Sequence, residues 1–150
     1  MSLSEDFCIK FPTILRDKLL KNEIKFPNTI KFDYEKLLVY RAINRKENDN
    51  HAVTLDDFKS YFELKKNPKR PRGPKENITK NPYYYGVSSF LKRECVEQLM
   101  KFPNPNKKMI KGYVYKEGGP QDTKDLHVCW WLYEKVDISG FEILEDYCDE

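Results

Sequence analysis

The sequence predicts an α+β fold: a single globular domain over residues 1–150, with a mostly antiparallel sheet of about four to five strands packed against two to three helices. Three observations predict it. The 150 residues are 39% hydrophobic and 14% aromatic, which suits one core and leaves two domains poorly supported. Four segments read as strands, near 37–44, 83–87, 109–116 and 127–134. Two others carry apolar residues at helical spacing, near 54–65 and 88–101.

In chain order, Thr13 after Pro12 reads as the cap of a short helix carrying Ile14, Leu15, Leu19 and Leu20. Leu37 to Ile43 is short, apolar and β-rich, so it is expected to be a central strand buried on both sides. Thr54 is a helix cap with Asp56 and Asp57 in the first turn, and Phe58, Tyr61 and Phe62 extend that helix to about residue 65. Tyr83 to Val87 reads as a strand, after which Ser88 or Ser89 caps a helix with Leu91, Cys95, Leu99 and Phe102 along one stripe. The tail from Val136 fits either a strand or a final helix.

Segments 109–116 and 127–134 hold the most information about function. Alternation places Val128, Trp130 and Leu132 on one strand face, matched by Ile110, Gly112 and Val114 on the other segment. These are expected to face the core. If the two segments pair as a long hairpin, Tyr113, Tyr115, Trp131 and Tyr133 line the opposite face, with His127 at its edge. Such an aromatic surface is the candidate binding site. It suggests a small cytoplasmic binding or regulatory protein that recognises another macromolecule, of the general make-up of phage or bacterial inhibitor and immunity proteins. The expected partner is a protein.

Nucleic acid is a second candidate partner. Residues 65–80 contain seven Lys or Arg against one acid, with three prolines and a glycine, and read as an exposed basic loop. Lys65, Lys66, Lys69, Arg70, Arg72 and Lys75 are its candidate phosphate contacts. Residues 134–150 hold seven acids and one lysine, so the net charge of +3 conceals opposite patches and weakens long-range steering.

An enzyme is the alternative reading. Arg41 lies mid-strand in an apolar run, where a charge must be paired or serve a ligand, and a planar guanidinium suits phosphate or carboxylate. The order Arg41, then Ser88 or Ser89, then Glu142 or Glu145 resembles the Arg, Ser, Glu order of some ADP-ribosyltransferases. The resemblance covers short fragments only, without a Ser-Thr-Ser or a Glu-x-Glu pair. It implies a nucleotide- or phosphate-handling site formed by those residues. If Arg41 is structural instead, a carboxylate such as Glu63 or Glu134 is its expected partner.

Cys8, Cys95, Cys129 and Cys148 are widely spaced with no CxxC pair, so free thiols are expected and no zinc or redox motif is present. His127 and Cys129 have no third ligand at motif spacing, and the connector EGGPQDTKD precedes no helix, so it reads as a turn. No metal or cofactor is expected. No apolar run approaches the ~20 residues needed to cross a bilayer, and the N-terminus lacks the pattern of a signal peptide. No membrane partner is expected.

Overall fold

The computed structural model describes residues 5–46, 48–49, 51–64, 78–100 and 105–144. The predicted α+β class is found, with one strand more than expected. Strands β1 (Leu37–Asn44), β2 (Val87–Phe90), β3 (Lys107–Val114), β4 (Gln121–Lys124), β5 (His127–Trp130) and β6 (Glu142–Leu144) form one antiparallel sheet in the order β4-β5-β2-β1-β3-β6. Helices α1 (Glu5–Cys8), α2 (Thr13–Leu20), α3 (Tyr61–Leu64) and α4 (Arg93–Met100) surround it.

β1 is central, as its composition predicts, but it is not buried on both sides: Val39 and Ile43 are enclosed on one face, whereas on the other Leu38 is 39% exposed and Tyr40 and Ala42 are half-buried. It pairs along its whole length with β3, from Leu37 opposite Val114 to Asn44 opposite Lys107. The long hairpin expected from 109–116 and 127–134 does not form. β5 is separated from β3 by two intervening strands, β2 and β1, and lies between β2 and β4. The connector expected to be only a turn supplies β4, which pairs with β5 from Gln121 opposite Trp130 to Lys124 opposite His127. Asp125, at φ 56°, takes the left-handed conformation that closes this hairpin, a role open to a short polar side chain.

Two cores sit on opposite faces of the sheet. The first gathers Val39, Ile43, Val87, Ile110, Val114, Val128 and Trp130 under Phe58 and Phe141. Among its strand residues, Ile110, Val114, Val128 and Trp130 are those that alternation assigned inward. Gly112 belongs to this face, and a Cβ added there would lie 2.5 Å from the Phe141 ring. Gly112→Ala is therefore expected to destabilise by about 1–3 kcal/mol through overpacking, read from the urea midpoint; a neutral result would mean that Phe141 moves aside freely. The second core packs Cys8, Phe11, Leu15, Leu19 and Ile24 against Tyr84, Tyr85, Cys129 and Trp131.

Several local expectations shift. Thr13 is the first helical residue of α2, with Pro12 at the cap position. The helix expected over 54–65 becomes a 3-10 turn at Leu55–Asp57 and the single turn α3. Its start signal is real, because Thr54 and Asp57 form a capping box. It does not propagate, because Arg41 draws off the carbonyls of Asp57 (3.0 Å) and Lys59 (3.5 Å), which a continuous helix would use internally. Ser60 and Glu63 then cap one another across α3. Tyr83–Tyr85 lies in a 3-10 turn rather than a strand: Pro82 occupies its first turn and Asn81 accepts from Tyr83 N at 3.0 Å. Ser88 and Ser89 consequently belong to β2 and cap no helix. Of the predicted stripe, Leu91 and Cys95 are half-buried, while Phe102 and the side chain of Leu99 lie outside the described residues; among the described side chains of α4, Val96, outside the stripe, is buried to 1% exposure. The tail forms a strand, β6, as one of its two expected states.

Candidate functional site

The five aromatic and histidine residues predicted to share one exposed face are distributed over three environments. Trp131 is fully buried, its Nε1 donating to Pro82 O at 2.9 Å and its ring set against Phe26 and Tyr83. It points away from Trp130, as alternation predicts, but it is not exposed, because α1, α2 and the turn at Pro82–Tyr85 cover that side. Tyr133 packs beside Phe7 and Phe11 in the same cluster, with Lys10 Nζ 5.5 Å from its ring centroid. His127 Nε2 lies 2.5 Å from Ser88 Oγ, a cross-strand contact between β5 and β2, and its ring rests on Phe90.

Tyr113 and Tyr115 line one cleft, joined by a residue from elsewhere, but Tyr115 leaves the predicted face: it lies just past the end of β3, where strand alternation no longer applies, and its ring packs 5.9 Å from that of Trp130 beside the first core. They line an open cleft of about 740 Å³ with Tyr34. The cleft lies between residues 34–36, which lead into β1, and the end of β3 with the turn at Lys116–Gly118. Tyr113 is 44% exposed. Tyr115 is held at its hydroxyl, which donates to Asp137 O at 2.7 Å and accepts from Asp137 N at 2.9 Å. Tyr34 donates to Gly119 O at 2.6 Å. Burial pushes the Tyr34 phenol well above the usual range, with Tyr133 and Glu117 adding to the effect. Lys36, Lys116, Glu35 and Glu117 complete the lining. Tyr34 could not be singled out from the sequence, because nothing local in DYEKLL ties it to a strand some eighty positions downstream.

The buried phenols give the protein an alkaline limit. Tyr34, Tyr85 and Tyr133 all have raised pKa values, chiefly from burial. An unfolded tyrosine releases its proton near pH 10, whereas these hold theirs in the folded state. The unfolded chain therefore binds fewer protons above about pH 10, and stability falls as pH rises from there. Absorbance at 295 nm is expected to show a late-ionising class of phenols that titrates with unfolding, and Tyr34→Phe is expected to flatten the fall. A single early transition for all tyrosines would contradict this.

Arg41 is a structural arginine. Besides the two carbonyls of the 57–59 loop, it donates to Ser88 O at 2.5 Å, and burial lowers its pKa to about 10. Neither Glu63 nor Glu134 is its partner. The carboxylate in this region, Asp57, instead pairs with Arg45 at 2.6 Å, and Arg45 also donates to His51 O and Ala52 O. Arg41 in β1 and Arg45 just past its end thus strap residues 51–59 over the first core. The Arg, Ser, Glu set does not converge. Ser88 shares its face with Cys129 and His127, whereas Arg41 shares the opposite face with Val39 and Ile43. Glu142 stands on β6, paired with Lys111 at 3.7 Å and three strands from Ser88. Ser89 is buried beside the first core.

Glu145 and Cys148 lie outside the described residues, as do Lys65, Lys66, Lys69, Arg70, Arg72 and Lys75 of the basic segment. Cys8 and Cys129 are buried and Cys95 is half-buried. Among the described residues, no group of three or more His, Cys, Asp or Glu could hold a metal ion, and no helix is long and apolar enough to cross a membrane. No family model, curated protein or solved structure matches the chain.

Proposed function

We propose that this is a binding protein that recognises another protein through the tyrosine cleft formed by Tyr34, Tyr113 and Tyr115. The observation carrying this reading is Tyr113, a large aromatic 44% exposed at a cleft whose other two tyrosines are fixed by hydrogen bonds. Rings held in place offer contact area at little entropic cost, which suits a recognition surface. The charge of the lining favours protein over nucleic acid. Lys116 is neutralised by Asp33 at 3.0 Å, and Glu35 and Glu117 face the same space, so phosphates meet no net positive field.

The test places a photo-crosslinking amino acid at position 113 and, as a control, at Leu126, an exposed residue in the β4–β5 turn. Position 113 is expected to give a discrete protein adduct that position 126 does not. Tyr113→Ala is expected to weaken the association about tenfold or more while leaving the unfolding midpoint nearly unchanged. Equal labelling at both positions, or an affinity indifferent to Tyr113→Ala, would remove the cleft from consideration.

A further inference from the structure

We infer that the cleft receives the ammonium group of a partner protein's lysine side chain, free or methylated, and that Lys36 is a stand-in for it supplied by the chain itself; this rests on reading the cleft as the binding surface. Tyrosine rings attract cations through the negative potential of their faces, and three of them line this cleft. One such contact is already made, with Lys36 Nζ 4.5 Å from the centroid of the Tyr113 ring. The other lysine of the lining, Lys116, is drawn to Asp33 outside it. Glu35 and Glu117 therefore line the cleft with no ion-pair partner among the described residues. Aromatic rings with two carboxylates outside any close ion pair, Glu117 acting on Lys116 only at longer range, form a donor set suited to a cation.

Lys36 belongs to the segment entering β1, so its long side chain can leave Tyr113 without disturbing the sheet. A cation–π contact at an exposed site is weak, so competition from Lys36 reduces affinity for an incoming ammonium by about two- to fivefold. The cleft is in effect a lysine site in which an internal lysine holds the place.

The experiment titrates two blocked tripeptides by NMR into the wild type, Lys36→Met and Tyr113→Leu. One carries a central trimethyl-lysine and the other its uncharged tert-butyl isostere. The charged peptide is expected to bind Lys36→Met about two- to fivefold more tightly than the wild type, and to lose saturable binding in Tyr113→Leu. The isostere is expected to bind at least about fivefold more weakly than the charged peptide. Equal binding of the two peptides overturns the inference, because the cleft then takes apolar groups, while its reading as a recognition surface stands. Absence of saturable binding of the charged peptide to Lys36→Met also overturns it. Crosslinking at position 113 decides the reading of the cleft independently.

Discussion

Trp131→Ala is expected to lower the free energy of unfolding by about 3–5 kcal/mol, the range for truncating a buried tryptophan. The residue is fully buried at the meeting point of β5, α1, α2 and the Pro82–Tyr85 turn, in contact with Phe26 and Tyr83. Its loss would empty the centre of the second core and leave Pro82 O without its indole donor. Trp130→Ala is expected to cost a similar amount, since Trp130 occupies the first core and donates to Gly119 O at 3.1 Å. Urea unfolding of both variants supplies the check. A loss below about 1 kcal/mol for Trp131→Ala would mean that the second core contributes little to stability.

Arg45→Ala is expected to cost about 3–5 kcal/mol, because it leaves a buried carboxylate without its counter-ion. Asp57 Oδ2 lies 2.6 Å from Arg45 Nη2, and both side chains are almost wholly enclosed. Arg45 also satisfies the carbonyls of His51 at 2.7 Å and Ala52 at 3.1 Å, so its removal orphans acceptors along the strap. The double variant Arg45→Met with Asp57→Leu is expected to recover part of the loss, since the cost lies mostly in the stranded charge. If Arg45→Ala and Asp57→Leu add independently, the two residues do not act as a pair.

The strand faces were legible in the sequence and the strand partners were not. Period-two alternation assigned Val128 and Trp130, and Ile110 and Val114, to one buried face, and all four lie in the first core. Alternation says nothing about which strand comes alongside, and QDTK is too polar and short to announce itself as the true partner of β5. Trp131 shows the same limit: its direction follows from the pleat, but its cover comes from an N-terminal segment distant in the chain. The capping box at Thr54 was visible because it is local, while the failure of that helix to continue depends on Arg41 reaching in from β1. For the site, Tyr113 and Tyr115 could be singled out from their strand; Tyr34, Lys36 and the acids beside them meet those tyrosines only through the register of β1 against β3.

The central place of β1 has a consequence for how the chain reaches its native state. Both neighbours of β1 come from much later in the sequence, β2 from residue 87 and β3 from residue 107. Loop closure must precede most of the pairing that rewards it, so folding is expected on the millisecond-to-second scale of topologies rich in distant contacts. During synthesis, LLVYRAI emerges well before anything can shield it, and an unpaired apolar segment of this length is prone to self-association. Arg41 interrupts that segment with a charge. The residue that fastens a loop in the finished protein is thus also expected to act as a gatekeeper against aggregation while the protein is being made, so that Arg41→Leu should aggregate more during refolding.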